Sequence, residues 1–75
     1  MYSFYYFMIE AHKKEDSPAG DLVDDMMSDK GFPKKTINYK VVKDYLESKN
    51  ACAECMYTFE ECWEEYKAYK DGEMK

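Results

Sequence analysis

Three cysteines and one histidine are the side chains best suited to chemistry in this 75-residue chain. Cys52, Cys55 and Cys62 with His12 would make a Cys3His zinc set, and Cys52-x-x-Cys55 has ligand spacing. Against that reading, Cys62 falls in the apolar stripe of the last predicted helix, and His12 closes the first, at the other end of the sequence. A buried free cysteine packs as a small hydrophobe. The same Cys-x-x-Cys pair would serve as a redox motif only inside a βαβ unit, and no strand pattern surrounds it. The expectation is therefore no metal and no other cofactor.

Paired carboxylates are the next candidates. Glu60, Glu61, Glu64 and Glu65 could hold and release protons. They fall on the polar side of an amphipathic segment, where solvation is the ordinary role. With one His, no Ser-centred elbow and no Gly-rich phosphate loop, nothing assembles a catalytic set. The expectation is a protein without enzymatic activity.

The third group is a run of lysines. Residues 1–29 hold two Lys against seven acids, residues 30–50 six Lys against two acids, and residues 51–75 three Lys against seven acids. An acidic chain thus places a basic island, Lys34, Lys35, Lys40 and Lys43, in its middle. All eleven basic residues are Lys, and Arg is the better bidentate phosphate donor, so general nucleic-acid binding is disfavoured. The island suits a protein partner with an acidic surface, and the Glu60, Glu61, Glu64 and Glu65 side of a second copy would supply one. Two alternatives stay open. One is nucleic-acid binding through the four lysines. The other is an acidic inhibitor of phage type, in which Asp21, Asp24, Asp25, Asp29 and the late Glu pairs imitate phosphates.

Helices must position all of these groups. Ser3 can cap a first helix to His12, with Phe4, Phe7, Met8 and Ala11 at i, i+3, i+4 and i+7, widened by Tyr5 and Ile9. "KKEDSPAGD" reads as a loop broken by Pro18 and Gly20. A second helix begins near Ser17 or Asp21: Ser17-Pro18 would be a cap with Pro at the first helical position, and Leu22, Val23, Met26 and Met27 supply the apolar face. Gly31 in a left-handed conformation and Pro33 would end that helix. Phe32, held extended by Pro33, should anchor the corner in the core. Asn38 caps a third helix with Tyr39, Val42, Tyr45 and Leu46 inward. "NACAECMY" reads as a short separate helix. Thr58 and Glu61 have capping-box spacing, which predicts a last helix from Thr58 to Gly72 with Phe59, Cys62, Trp63 and Tyr66 inward. The shared core expected is Phe4, Met8, Leu22, Phe32, Tyr39, Val42, Leu46, Phe59, Trp63 and Tyr66.

A chain of this length forms one domain, residues 1–75, with a small core and marginal stability. Eight Tyr, four Phe and one Trp offset this with large buried areas. No secretory pattern opens the chain, no apolar run reaches the ~20 residues of a membrane span, and three clustered cysteines suit a reducing compartment. The expected location is the cytoplasm, with no membrane contact.

"SFYYFM", "DKGFPKKTINYKVVKDYLE" and "MYTFEECWEEY" occur in this order and together resemble the YozE-like family of small bacterial and mobile-element proteins. The resemblance rests on Ser3-Phe4-Tyr5, Asp29, Phe32-Pro33, Tyr39, Val42, Tyr45-Leu46-Glu47, Met56, Phe59, Trp63 and Tyr66. It implies an all-α fold similar to the sterile alpha motif, a compact bundle of four to five short helices, and no known activity. The acidic second helix and "CAEC" depart from the family pattern. Folds of that type often associate head to tail, the middle of one copy against the terminal helix of the next. The resemblance thus points to an interaction module with an unidentified protein partner or weak self-association.

Overall fold

The computed structural model describes residues 2–73. Four helices follow in order: α1 Phe4–His12, α2 Pro18–Ser28, α3 Tyr39–Ser48 and α4 Ala53–Glu73. There is no strand among the described residues.

The helix starts follow local chemistry. Ser3 accepts from the Tyr6 amide, Ser17 accepts from the Gly20 amide ahead of Pro18 at the first helical position, and Asn38 accepts from the Lys40 and Val41 amides. Ser3 also donates its hydroxyl to the Lys34 carbonyl, tying the start of α1 to the lysine loop.

Several boundaries differ from expectation. The residues 50–57 helix and the Thr58 helix are one: α4 runs unbroken through 21 residues. Thr58 lies buried inside it. No Gly or Pro occurs between Ala53 and Asp71 to interrupt the ladder, and continuing the helix lets Cys55 and Met56 pack on the core. A capping-box spacing is weak against that burial. The Cys52 carbonyl accepts from the Met56 amide and its sulfur from the Cys55 amide, so Cys52 closes the first turn. Gly72 lies within α4 rather than ending it.

Gly31 is not left-handed; the positive-φ residues are Lys14 and Asn50, in the turns before α2 and α4. Helix α2 stops instead at Asp29, whose carboxylate accepts from the Gly31 amide at 3.0 Å and from the Tyr45 hydroxyl at 2.6 Å. Pro18 and Gly20 sit in the first turn of α2, not in a loop. A Cβ on Gly20 would lie 1.9 Å from the Glu15 carbonyl oxygen, so glycine is what allows the preceding turn to close on α2.

The core lies where α1 and α2 meet α4. Phe4 is fully buried at its centre, with ring centroids 4.8 Å from Trp63 and 5.6 Å from both Phe59 and Tyr66. Phe32 enters from the corner before α3 and is 4% exposed. Nine of the ten expected core residues are buried. Tyr39 is half-buried, packing its ring on Phe59 while its hydroxyl reaches a carboxylate. Tyr45 behaves likewise, Ala11 is exposed, and Met27 is 42% exposed where Met26 is buried.

Candidate functional site: the charged rims of the last helix

The four glutamates of α4 do not form one surface. An i, i+4 spacing places Glu60 above Glu64 and Glu61 above Glu65, two stripes roughly 100° apart. Glu60 accepts from the Tyr39 hydroxyl, and Glu64 lies 3.5 Å from the Lys67 ammonium. They border an open cleft with Ile37, Trp63 and Lys70. The hydrogen bond to Glu60 pushes the Tyr39 phenol up to about 12.

Glu61 and Glu65 face the opposite rim. Its cleft, ≈ 610 Å³, is also lined by His12, Glu15, Glu54, Tyr57 and Cys62. The imidazole of His12 lies between two carboxylates, Nε2 at 2.7 Å from Glu65 and Nδ1 at 3.0 Å from Glu15. Glu15 in turn accepts from the Ser17 hydroxyl at 2.7 Å. Burial alone would lower the His12 pKa, but the bonds and charges of Glu65 and Glu15 outweigh it and the net shift is upward. The Ser17 hydroxyl, then His12, hold the Glu15 carboxyl below its ordinary value. Burial, with Glu65 and Glu61 nearby, pushes the Cys62 thiol up to about 12.

The lysines are dispersed. Lys40 pairs with Asp44 at 3.2 Å, one turn along α3, and Lys43 lies over the Tyr39 ring. Lys34 lies over the Tyr5 ring at the start of α1, and Lys35 beside it in sequence makes no ion pair among the described residues. Lys43 and Glu60 thus meet around one phenol, whereas Lys34 and Lys35 stand at the end of α1 opposite to His12.

The four-residue Cys3His set is not assembled. Cys52 and Cys55 border a cleft with Leu22, Met26, Phe32 and Leu46, away from the one that holds His12 and Cys62. Cys55 and Cys62 are two helical turns apart, about 10 Å along the axis. Cys62 is 3% exposed, in keeping with a core thiol. What the sequence did not reveal is the company of His12: one ligand atom each from His12, Cys62 and Glu65 lie within 4.8 Å of one another. No local pattern joins residue 12 to residue 65; only the packing of α1 on α4 does. Among the described residues, no helix is long and apolar enough to cross a membrane.

Four helices around a shared aromatic core define a small all-α fold of the sterile-alpha-motif-like class. The family model described as "YozE SAM-like fold" matches residues 3–68. The chain belongs to that family. It is 34% identical over 67 residues to a UPF0346 protein of Bacillus velezensis, covering 88% of this chain and 90% of the relative. A UPF0346 protein of Streptococcus pyogenes serotype M28 is 32% identical over 74 residues, covering 97% and 89%. The UPF0346 protein YozE of Bacillus subtilis is 29% identical over 73 residues, covering 96% and 99%. Those names state no activity, substrate or partner. No solved structure gives a significant match.

Proposed function

We propose that this chain is a non-enzymatic interaction module, whose lysine end docks on the acidic end of a second copy. One observation carries the reading: opposite charges stand at opposite ends of α1. Lys34 and Lys35 lie by its start, where Ser3 holds the Lys34 carbonyl, and Glu15, Glu54, Glu61 and Glu65 line the cleft by its end. The nine-residue helix separates them by roughly 13 Å. The acidic cleft also offers an apolar group, Tyr57 at 66% exposure. Aromatic side chains of that kind anchor interfaces. Lys40 and Glu64 are held in ion pairs, Lys43 and Glu60 meet at Tyr39, Lys34 lies over the Tyr5 ring, and Glu15 and Glu65 hold His12, so Lys35, Glu54 and Glu61 are the charges of the two ends without a side-chain partner among the described residues.

Such a contact joins unlike surfaces and grows into open chains unless it closes. It should be weak and loosen with salt, since exposed charges are screened beyond ~8–10 Å near physiological ionic strength. Sedimentation of the wild type and of Lys34→Glu/Lys35→Glu at low and high salt tests it. The wild type should associate at low salt and high concentration, and the double variant should not. A wild type that stays monomeric there eliminates self-association.

A further inference from the structure

The acidic cleft has a chemical feature that docking does not explain. Both imidazole nitrogens of His12 face carboxylates at hydrogen-bond distance, Nδ1 at 3.0 Å from Glu15 and Nε2 at 2.7 Å from Glu65. A cation at the shorter contact, with Cys62 beside it, would meet a ring nitrogen, a carboxylate and a sulfur together. The four cleft-lining glutamates are accompanied by no lysine, and a concave site of one charge sign concentrates counter-ions.

We propose that His12 Nε2, the Glu65 carboxylate and Cys62 Sγ form a binding site for one zinc ion, which enters as protons leave the imidazole and the thiol. Imidazole, thiolate and carboxylate together select a borderline ion such as zinc over calcium or magnesium, which take oxygen ligands. The three donor atoms lie within 4.8 Å of one another. A tetrahedral zinc at ordinary bond lengths holds its ligands on the order of 3.5 Å apart. Side-chain rotation suffices: the 2.7 Å contact between His12 and Glu65 opens slightly and the sulfur closes in.

The surroundings already have the form of a metal site's outer shell. Zinc-bound histidines donate the remaining ring N–H to a carboxylate, which fixes the tautomer. Here Nδ1 faces Glu15 and the Ser17 hydroxyl orients Glu15. Helix α2 contributes only Pro18 and Ala19 beyond that cap, so no cation from it competes. The fourth position opens into the cleft. Three protein ligands with an open position is the ligand count of exchangeable rather than closed zinc sites. The expectation of no metal concerned a Cys3His set and rested on Cys62 in the core stripe and His12 at the far end of the sequence; the inference here adds Glu65 and leaves Cys52 and Cys55 out.

The test uses the full chain, reduced, in a Cys52→Ala/Cys55→Ala background that removes the competing thiol pair. Cobalt(II) is titrated as a spectroscopic probe, and zinc by calorimetry, near pH 6 and pH 7.5. One cobalt per chain should bind with near-ultraviolet thiolate-to-cobalt absorption, and zinc should bind more tightly at the higher pH because the ligands must deprotonate. His12→Gln and Glu65→Gln should each weaken zinc at least ~10-fold, and Glu15→Gln should weaken it ~10–100-fold through the outer shell. Glu60→Gln, on the other rim, should change nothing. Circular dichroism confirms that each variant is folded; the surface variants keep the test decisive even if replacing Cys62 unfolds the chain. The proposal falls if the background protein binds no metal stoichiometrically, if cobalt binds without thiolate absorption, or if His12→Gln binds zinc as well as its parent. Because the measurement reads one site in one chain, its outcome is independent of whether copies associate.

Discussion

The two rims of α4 carry the same residues, a glutamate over a glutamate one turn apart, yet have different chemistry. On one side α3 supplies Tyr39, and Lys67 and Lys70 lie close, so Glu60 and Glu64 face a phenol and ammonium groups. On the other side α1 supplies His12, and the other charged groups lining the cleft are further carboxylates. One rim has lysines beside its carboxylates. The other is short of positive charge and depends on one titrating ring. A side-chain pair on a helix acquires its role from the neighbouring element, not from its own spacing.

Trp63 borders the Tyr39 rim from the core, 4% exposed and in ring contact with Phe4, Tyr39 and Tyr66. Trp63→Ala should cost about 3–5 kcal/mol, comparable to the whole stability of so small a protein. Thermal or urea unfolding measures it. A variant that melts near the wild-type temperature would show that the rims do not share a core.

A smaller change breaks one rim only. Gly20→Ala drives a Cβ into the Glu15 backbone, a group that cannot rotate away, and should cost about 1–3 kcal/mol. It should also displace Glu15 from His12 while leaving Tyr39 and Glu60 in place. Ring proton shifts in an NMR spectrum would separate the two. Equal disturbance of both rings would mean that the rims are coupled.

The smallest effect is the pH dependence. His12 titrates above its ordinary value of 6.5 in the folded chain. A raised value means that the stabilisation is fully present below about 6.5 and is lost as pH rises through the folded value. The loss should stay below about 1 kcal/mol, the range of exposed ion pairs. His12→Gln should remove this slope from denaturation midpoints measured across neutrality. Tyr39→Phe should leave it intact, since that phenol is pushed up to about 12. A slope that survives His12→Gln would place the titrating group elsewhere.

The caps at Ser3, Ser17 and Asn38, the inward stripes and the Phe32 corner were all legible in the sequence, because each depends on residues within a turn or two of one another. So was the family, carried by an ordered set of aromatic positions. The start of α4 was misread because a local capping signal worth about 1 kcal/mol competes with burial that only the fold supplies. Gly31 was misread for a similar reason. It suggested a left-handed turn, but Asp29 and the distant Tyr45 hold that corner instead. The sequence by itself determined that the chain is helical, most of the residues that turn inward and where the charge lies along it. Only the tertiary structure decided which lysines and glutamates find partners, and that His12 meets Glu65 and Cys62. The contact of His12 with Glu65 joins positions 53 residues apart, and no periodicity of a single helix encodes what the next helix will bring beside it.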